Sequence, residues 1–309
     1  MSKRIKTSFA IICVVVILAS IMSGYATAED DVTYGFISES DIGQDSSEAV
    51  DMREPLILAY TEIPLYVDGV FSGIALKLND TTYAPLLSFC EAMLMEDFEV
   101  LWDSETDSVS LSAEGVDISL TLSDNYIVAN GRYLYLPDGA YNINGSVVAP
   151  IRELAKIFNV SIEWDEDNWS IDIDTSDLSI IGHGWQFYDY DSLYWLSRVI
   201  FSESGETEPI EGMIGVGNVV LNRVNDDSGM FEDTVRGVIF QYNQFSVVDN
   251  GTIYLEPNDI SVIAAKLCLE GYNTVGDSLF FLNPDIAPSY WFRETRTFVV
   301  TIENHDFYA

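Results

Sequence analysis

Glu203 holds a telling place among the side chains that could move a proton. Leu193, Leu196 and Ile200 fall at i, i+3 and i+7, the spacing of a buried helical stripe, and Glu203 continues it at i+10. A carboxylate at the inward edge of such a stripe loses hydration, which disfavours the anion and raises its pKa. A carboxyl kept protonated near neutral pH is the general acid that glycosidic cleavage requires. The same position, just before Gly205 ends the helix, also lets the carboxylate swing into solvent. Position alone leaves both readings open. Glu206 and Glu208 follow in a loop, and Glu211 sits in the first turn of the next helix, where its charge complements the helix dipole. His183 and His305 are the only imidazoles. That is too few for a His-rich catalytic metal centre, so neither metal nor cofactor is expected.

Further along, Gln244, Ser246 and Asn283 offer amide and hydroxyl groups suited to sugar hydroxyls and N-acetyl groups, and Phe245, Tyr254, Tyr290 and Trp291 offer aromatic faces. Each aromatic serves equally as core packing. The elements that must hold these groups are mostly helical. A helix capped by Asp189 or Asp191 carries the Glu203 stripe. A second, roughly 209–224 and opened by Pro209, is apolar nearly all round, as a core helix is. Its Gly212, Gly215 and Gly217 suggest close approach of another backbone. Asn222-Arg223 ends it. A third helix runs from Asp259 to Glu270, capped by Asn258 and stopped by Gly271.

The whole chain has 309 residues, enough for about two domains. Hydrophobic residues make up 48%, so extended cores are affordable, while 14 Lys+Arg against 50 Asp+Glu argue against binding a nucleic-acid backbone. Lys3, Arg4 and Lys6 precede an apolar run from Phe9 to Met22, and Ala26-Thr27-Ala28 has the small residues of a signal-peptidase site. Residues 1–28 are therefore expected to be an export signal, cleaved after Ala28, with no membrane span left afterwards. The mature protein would be secreted or cell-wall associated. Residues 29–54 are acidic and poor in large apolar groups, and are expected to be a solvated linker.

Residues 55–175 contain a duplication. Tyr83-Ala84-Pro85 and Val148-Ala149-Pro150 each open a short helix, and each helix is followed by an extended piece ending in Trp-Asp, at Trp102-Asp103 and Trp164-Asp165. Alternation follows in both copies: Val109, Leu111, Ala113, then Trp169, Ile171, Ile173. Asp68-Gly69 and Asn130-Gly131 mark two-residue hairpin turns. An α+β domain of antiparallel sheet and short helices is expected, followed by a 176–188 linker and a mainly α domain over 189–309. Asp165, Glu166 and Asp167 read as a solvated turn rather than a Ca²⁺ site.

Two resemblances follow from these motifs. Ala149-Pro150-Ile151-Arg152-Glu153-Leu154 and Trp164-Asp165 resemble the copper amine oxidase N-terminal-like (stalk) domain; the first copy has Leu87 where Arg is usual. Residues 55–175 contain no His, so no copper is expected there. The resemblance implies spacing or wall attachment. The stretch 191–309 resembles the SleB-type cell wall hydrolases (spore cortex-lytic enzymes). The motifs are Glu203-Ser204-Gly205, Glu208-Pro209-Ile210-Glu211-Gly212, Val219-Val220-Leu221-Asn222-Arg223-Val224, Gln244-Phe245-Ser246, Leu282-Asn283-Pro284 and Asn304-His305-Asp306-Phe307-Tyr308. The loop after Glu203 is slightly longer than the family pattern and lacks its Arg, and Glu303 stands where Gly is common.

The second resemblance implies a lysozyme-like fold and peptidoglycan glycan strands as partner. Glu203 is then the catalytic acid, and Gln244, Phe245, Ser246, Asn283, Tyr254 and His305 are substrate-binding candidates, with Glu211 and Asn222 in support. A lytic transglycosylase needs one essential carboxyl group, because the muramic acid 6-hydroxyl closes a 1,6-anhydro ring. A muramidase needs a second carboxylate, for which Glu211 is a candidate. A module that binds glycan without cutting it, or a spacer protein, is the alternative.

Overall fold

The computed structural model describes residues 3–6, 32–36, 57–94, 97–204, 209–285 and 294–309. The apolar run 9–22, the Ala26–Ala28 stretch, Gly205, Glu206, Glu208, Tyr290 and Trp291 lie outside them. The chain divides into two compact units, 1–182 and 183–309.

The first unit is built of strands β1 (Lys3–Lys6), β2 (Val32–Phe36), β3 (Ile57–Val67), β4 (Val70–Leu78) and β5 (Thr81–Pro85), helix α1 (Leu86–Leu94), then β6 (Glu99–Asp103), β7 (Ser108–Ala113), β8 (Val116–Thr121), β9 (Tyr126–Ala129), β10 (Arg132–Tyr135), β11 (Tyr141–Ile143) and β12 (Ser146–Pro150), helix α2 (Ile151–Phe158), and the hairpin β13 (Ser161–Asp165) and β14 (Ser170–Asp174). One sheet runs β1-β6-β7-β8-β9-β10; the other runs β11-β12-β5-β4-β3-β14-β13, with β2 also on β3. The hairpin turns follow from residues that accept positive φ: Asp68 and Gly69 at 50° and 75°, Asn130 and Gly131 at 51° and 75°. Strand β8 alternates buried and exposed residues, so one face is dry and the other wet.

The two Ala-Pro motifs lie side by side. Strands β5 and β12 pair antiparallel with Ala84 opposite Ala149, and each leads into a helix. Phe89 of α1 and Phe158 of α2 meet with ring centroids 6.0 Å apart inside the core that both sheets share. Each Trp-Asp ends a strand in the same way. Asp103 accepts a hydrogen bond from the Glu105 amide, and Asp165 accepts from the amides of Asp167 and Asn168. These bonds, those from Asn168 first, hold the Asp165 carboxyl below its ordinary pKa.

Three features depart from expectation. Val32–Phe36 is not linker: it pairs with Ile57–Thr61, because Val-Thr-Tyr-Gly-Phe has strand propensity that the surrounding acids mask. The sheet is not wholly antiparallel either, since β14 lies parallel to β3 after the α2–β13 excursion. Trp169 belongs to the β13–β14 turn rather than to a buried alternation, with φ 50° and 63% of its surface exposed. Lys3–Lys6 forms the edge strand beside β6, so cleavage after Ala28 would remove β1.

The second unit comprises α3 (Gly184–Phe187), α4 (Tyr190–Ser204), α5 (Ile210–Val224), α6 (Val235–Phe240), α7 (Ser246–Asp249), a 3₁₀ turn at Thr252–Tyr254, α8 (Asp259–Leu269), and strands β15 (Phe280–Leu282), β16 (Phe298–Ile302) and β17 (His305–Tyr308). The Ser192 amide donates to Asp189 at 2.8 Å, and the Ser261 amide to Asn258 at 3.0 Å; both acceptors cap their helices. Helices α4, α5 and α8 pack on one another. Gly217 makes this possible, because a Cβ there would stand 2.6 Å from Cys268 Sγ and 3.0 Å from Ile200 Cδ1. The antiparallel sheet β15-β17-β16 closes the unit and buries Phe307 against α5. Cys90 and Cys268 are free, buried thiols, one in each unit.

Candidate active site

Glu203 stands in the last turn of α4, one turn beyond the fully buried Ile200. It lines an open cleft of about 380 Å³ together with Arg223, Asn243, Gln244, Phe245, Ser246, Asp249 and Phe281. That volume lies within the usual range of small-ligand sites, ~300–1,000 Å³. Helix α4 supplies the acid from one wall, α5 supplies Arg223 from its last turn, and the turn between α6 and α7 together with α7 itself supplies the polar groups. Burial pushes the Glu203 carboxyl up to about 7, against the opposing pull of the Arg223 guanidinium. Such a group carries its proton into the neutral range and can both give and take one there.

Arg223 is the counterpart. It is buried, its Nε donates to the Leu279 carbonyl at 2.7 Å, and its guanidinium lies 5.1 Å from the Phe245 ring centroid and 5.0 Å from that of Phe231. Burial lowers its own pKa to about 10, with Glu203 acting in the opposite direction. Its Nη1 is buried with no hydrogen-bond partner among the described residues. The fixed cation therefore limits how far Glu203 rises without neutralising it in an ion pair of hydrogen-bonding length.

Of the residues singled out from sequence, Glu203, Gln244, Phe245 and Ser246 come together in this cleft. Phe245 is 5% exposed, clamped between Arg223 and Phe281, so it forms wall rather than a free stacking face. The other three substrate-binding candidates are not among the described cleft-lining residues. Tyr254 joins an aromatic group with Trp195 and Phe240, at 6.3 and 6.4 Å. Asn283 turns back on the chain, accepting from the Asp285 amide. His305 is buried in the β-sheet with its ring edge-on to Phe281 at 5.4 Å, in a strand whose four residues are all buried. Phe281, by contrast, reaches the cleft.

The supporting residues act through the backbone. Asn222 donates to the Gly276 and Ser278 carbonyls at 2.7 and 2.9 Å, pinning that loop to α5. The Glu211 carbonyl accepts from Thr274 Oγ1, and Glu211 stands in the first turn of α5. Sequence reasoning missed Arg223, Asn243, Asp249 and Phe281 as cleft residues. Only Arg223 carried a local hint, being a cation in the last turn of an apolar core helix.

Comparison with known proteins agrees with this division. Residues 207–308 match the Cell Wall Hydrolase family, and residues 70–173 match the Copper amine oxidase N-terminal domain family. A spore cortex-lytic enzyme of Oceanobacillus iheyensis is 38% identical over 122 residues, 40% of this chain and 43% of that one. A spore cortex-lytic enzyme of Bacillus cereus is 36% identical over 120 residues, 39% of this chain and 45% of that one. This chain thus spans less than half the length of these curated relatives. A solved structure, the catalytic domain of the germination-specific lytic transglycosylase SleB from Bacillus anthracis, is 34% identical and covers 42% of this chain and 100% of that domain, with a TM-score of 0.37. The chain therefore joins a copper amine oxidase N-terminal-type domain to a cell wall hydrolase domain. The first of these does not fit copper. It holds no imidazole between residues 55 and 175, and burial pushes its Cys90 thiol up to about 12.

Proposed function

We propose that this protein, through its cell wall hydrolase domain, cleaves the glycan strand of peptidoglycan as a lytic transglycosylase. The observation that carries the reading is a half-dried glutamic acid in a polar cleft, holding its proton up to about pH 7. Glu203 donates that proton to the oxygen linking N-acetylmuramic acid to N-acetylglucosamine, and the bond to the muramic acid anomeric carbon breaks with oxocarbenium-like charge. The ionised Glu203 then accepts the proton of the muramic acid 6-hydroxyl, whose oxygen bonds to that carbon and closes the 1,6-anhydro ring. The carboxyl group returns to its starting state. Arg223, at the cleft wall, stabilises Glu203 during the interval in which it is an anion. Gln244 and Ser246 supply the hydrogen-bonding groups that N-acetyl and hydroxyl substituents require.

The helical second unit with its inward-facing glutamate supports a lysozyme-like arrangement. The antiparallel pairing of the two Ala-Pro motifs supports an internal repeat in the first unit. That unit serves as spacer or wall attachment. Export rests on the basic and apolar segments before Ala28; among the described residues no helix is long and apolar enough to cross a membrane.

The test is turbidity loss of purified sacculi. Glu203→Gln is expected to lower the lytic rate by about 10²-fold or more, and lysis at the wild-type rate would sink the assignment. A second reading, hydrolysis, is favoured by one observation: Asp249 puts a second carboxylate on the cleft wall, where it could activate a water. Mass spectrometry of released fragments separates the two, since transglycosylation leaves anhydro ends and hydrolysis leaves reducing ends.

A further inference from the structure

The first unit contains a second groove, of about 570 Å³, that the cleavage chemistry does not use. It opens between the first turn of α2, the end of the β13–β14 hairpin and the β4–β5 turn. Ile63, Ile162 and Ile171 form its floor, and Trp164 and Trp169 form one side, their rings edge-on with centroids 5.6 Å apart. The indoles are 45% and 63% exposed. Charged groups of both signs also line it, Lys77 and Arg152 with Asp80, Asp138 and Glu153, the last paired with Lys156, and Thr81 Oγ1 donates to the Asp138 carboxylate at 2.5 Å.

Trp169 is not explained by local folding. Every other non-glycine residue with positive φ among the described residues of this unit is Asp or Asn: Asp68, Asn79, Asp107, Asn130, Asn144 and Asn159. These short polar side chains tolerate the left-handed region, whereas a bulky indole there is strained. Asp107 precedes β7 just as Trp169 precedes β14, so the same kind of turn is made once with the favourable residue and once with a tryptophan. The other differences between the two Ala-Pro helices run in the same direction. Leu87 stands where α2 has Arg152, Trp102 is packed on the core, and the space beside α1 is only about 40 Å³.

We propose that this groove is a second, non-catalytic carbohydrate site, and that its occupant is the N-acetylated glycan strand of peptidoglycan. The identity of the glycan rests on the reading of the second unit as a glycan-cleaving domain. The C–H face of a sugar ring packs against an exposed indole, as other apolar surfaces do. Its hydroxyl and acetamide groups need donors and acceptors together, which Arg152 and Lys77 with Asp80 and Asp138 provide. A lining of mixed sign suits a neutral polyol. A polyanionic wall polymer would meet the carboxylates of Asp80, Asp138 and Glu153 and a chain of formal charge −36.

The experiment uses the full-length protein carrying Glu203→Gln, so that sacculi stay intact, and reads co-sedimentation with them. Trp169→Asn removes the indole while giving the turn a residue it favours, so the fold and Tm are retained; Trp164→Ala is the second variant. Each is expected to weaken half-saturation by about tenfold, and the N-acetylglucosamine tetramer is expected to compete for the parent. Unchanged co-sedimentation of both variants, or competition by free stem peptide but not by the tetramer, overturns the proposal. Wild-type lysis is measured in parallel. Tryptophan-dependent sedimentation without lysis refutes the reaction and leaves the groove standing, whereas lysis with tryptophan-independent sedimentation does the reverse.

Discussion

At the residue scale, the behaviour of Glu203 follows from two opposing effects of unequal size. Desolvation raises its pKa from 4.5 to about 7, and the cation of Arg223 recovers only part of the cost. The folded state therefore holds this proton more tightly than the unfolded chain does. Its contribution to stability is complete below the unfolded value of about 4.5 and is lost as pH rises through about 7. Glutamine mimics the protonated acid at every pH. Glu203→Gln is accordingly expected to match wild type in stability near pH 4 and to exceed it at pH 8 by about 1–3 kcal/mol. Denaturant titrations at the two pH values check this, and an equal difference at both would show that Glu203 is not desolvated.

At the element scale, α4, α5 and α8 approach more closely than side chains normally allow. Gly217 faces Cys268 at 2.6 Å, and Gly215 faces Phe307 and Val275 at 2.8 Å, distances a Cβ could not accept without its neighbour shifting. Interior glycines cost a helix roughly 1 kcal/mol each against alanine, a cost that this close packing offsets. Gly217→Ala is expected to destabilise by about 1–3 kcal/mol through overpacking. Cys268→Ala in the same chain should restore part of that loss, because it removes the Sγ that the new methyl would strike. Additive losses in the double variant, measured as Tm shifts, would mean the helices adjust elsewhere.

At the scale of the whole molecule, two units with separate cores occur in one strongly acidic chain. The second unit has its own three-helix core and closing sheet, with β17 buried along its length. The fragment 183–309 is expected to unfold in a single cooperative transition. A fragment without cooperative unfolding by circular dichroism would show that this core does not fold by itself.

The sequence by itself determined the parts whose cause lies within a few residues. Asp-Gly and Asn-Gly turns follow from tolerance of positive φ, Asp189 and Asn258 from capping, and the inward edge of α4 from the 3.6-residue period that carries Leu196, Ile200 and Glu203. Tertiary structure alone decided what those edges meet. The end of α5 brings Arg223 towards Glu203, the turn after α6 brings Gln244 and α7 brings Asp249 to the same cleft, and His305 goes into a sheet instead of the cleft. It also placed Trp169 outward beside Trp164, where alternation had suggested burial. Turn and cap preferences are local energies that neighbouring residues settle. Desolvation, a guanidinium's field and the shape of a groove are sums over atoms contributed by segments far apart in the chain, and only packing fixes those sums.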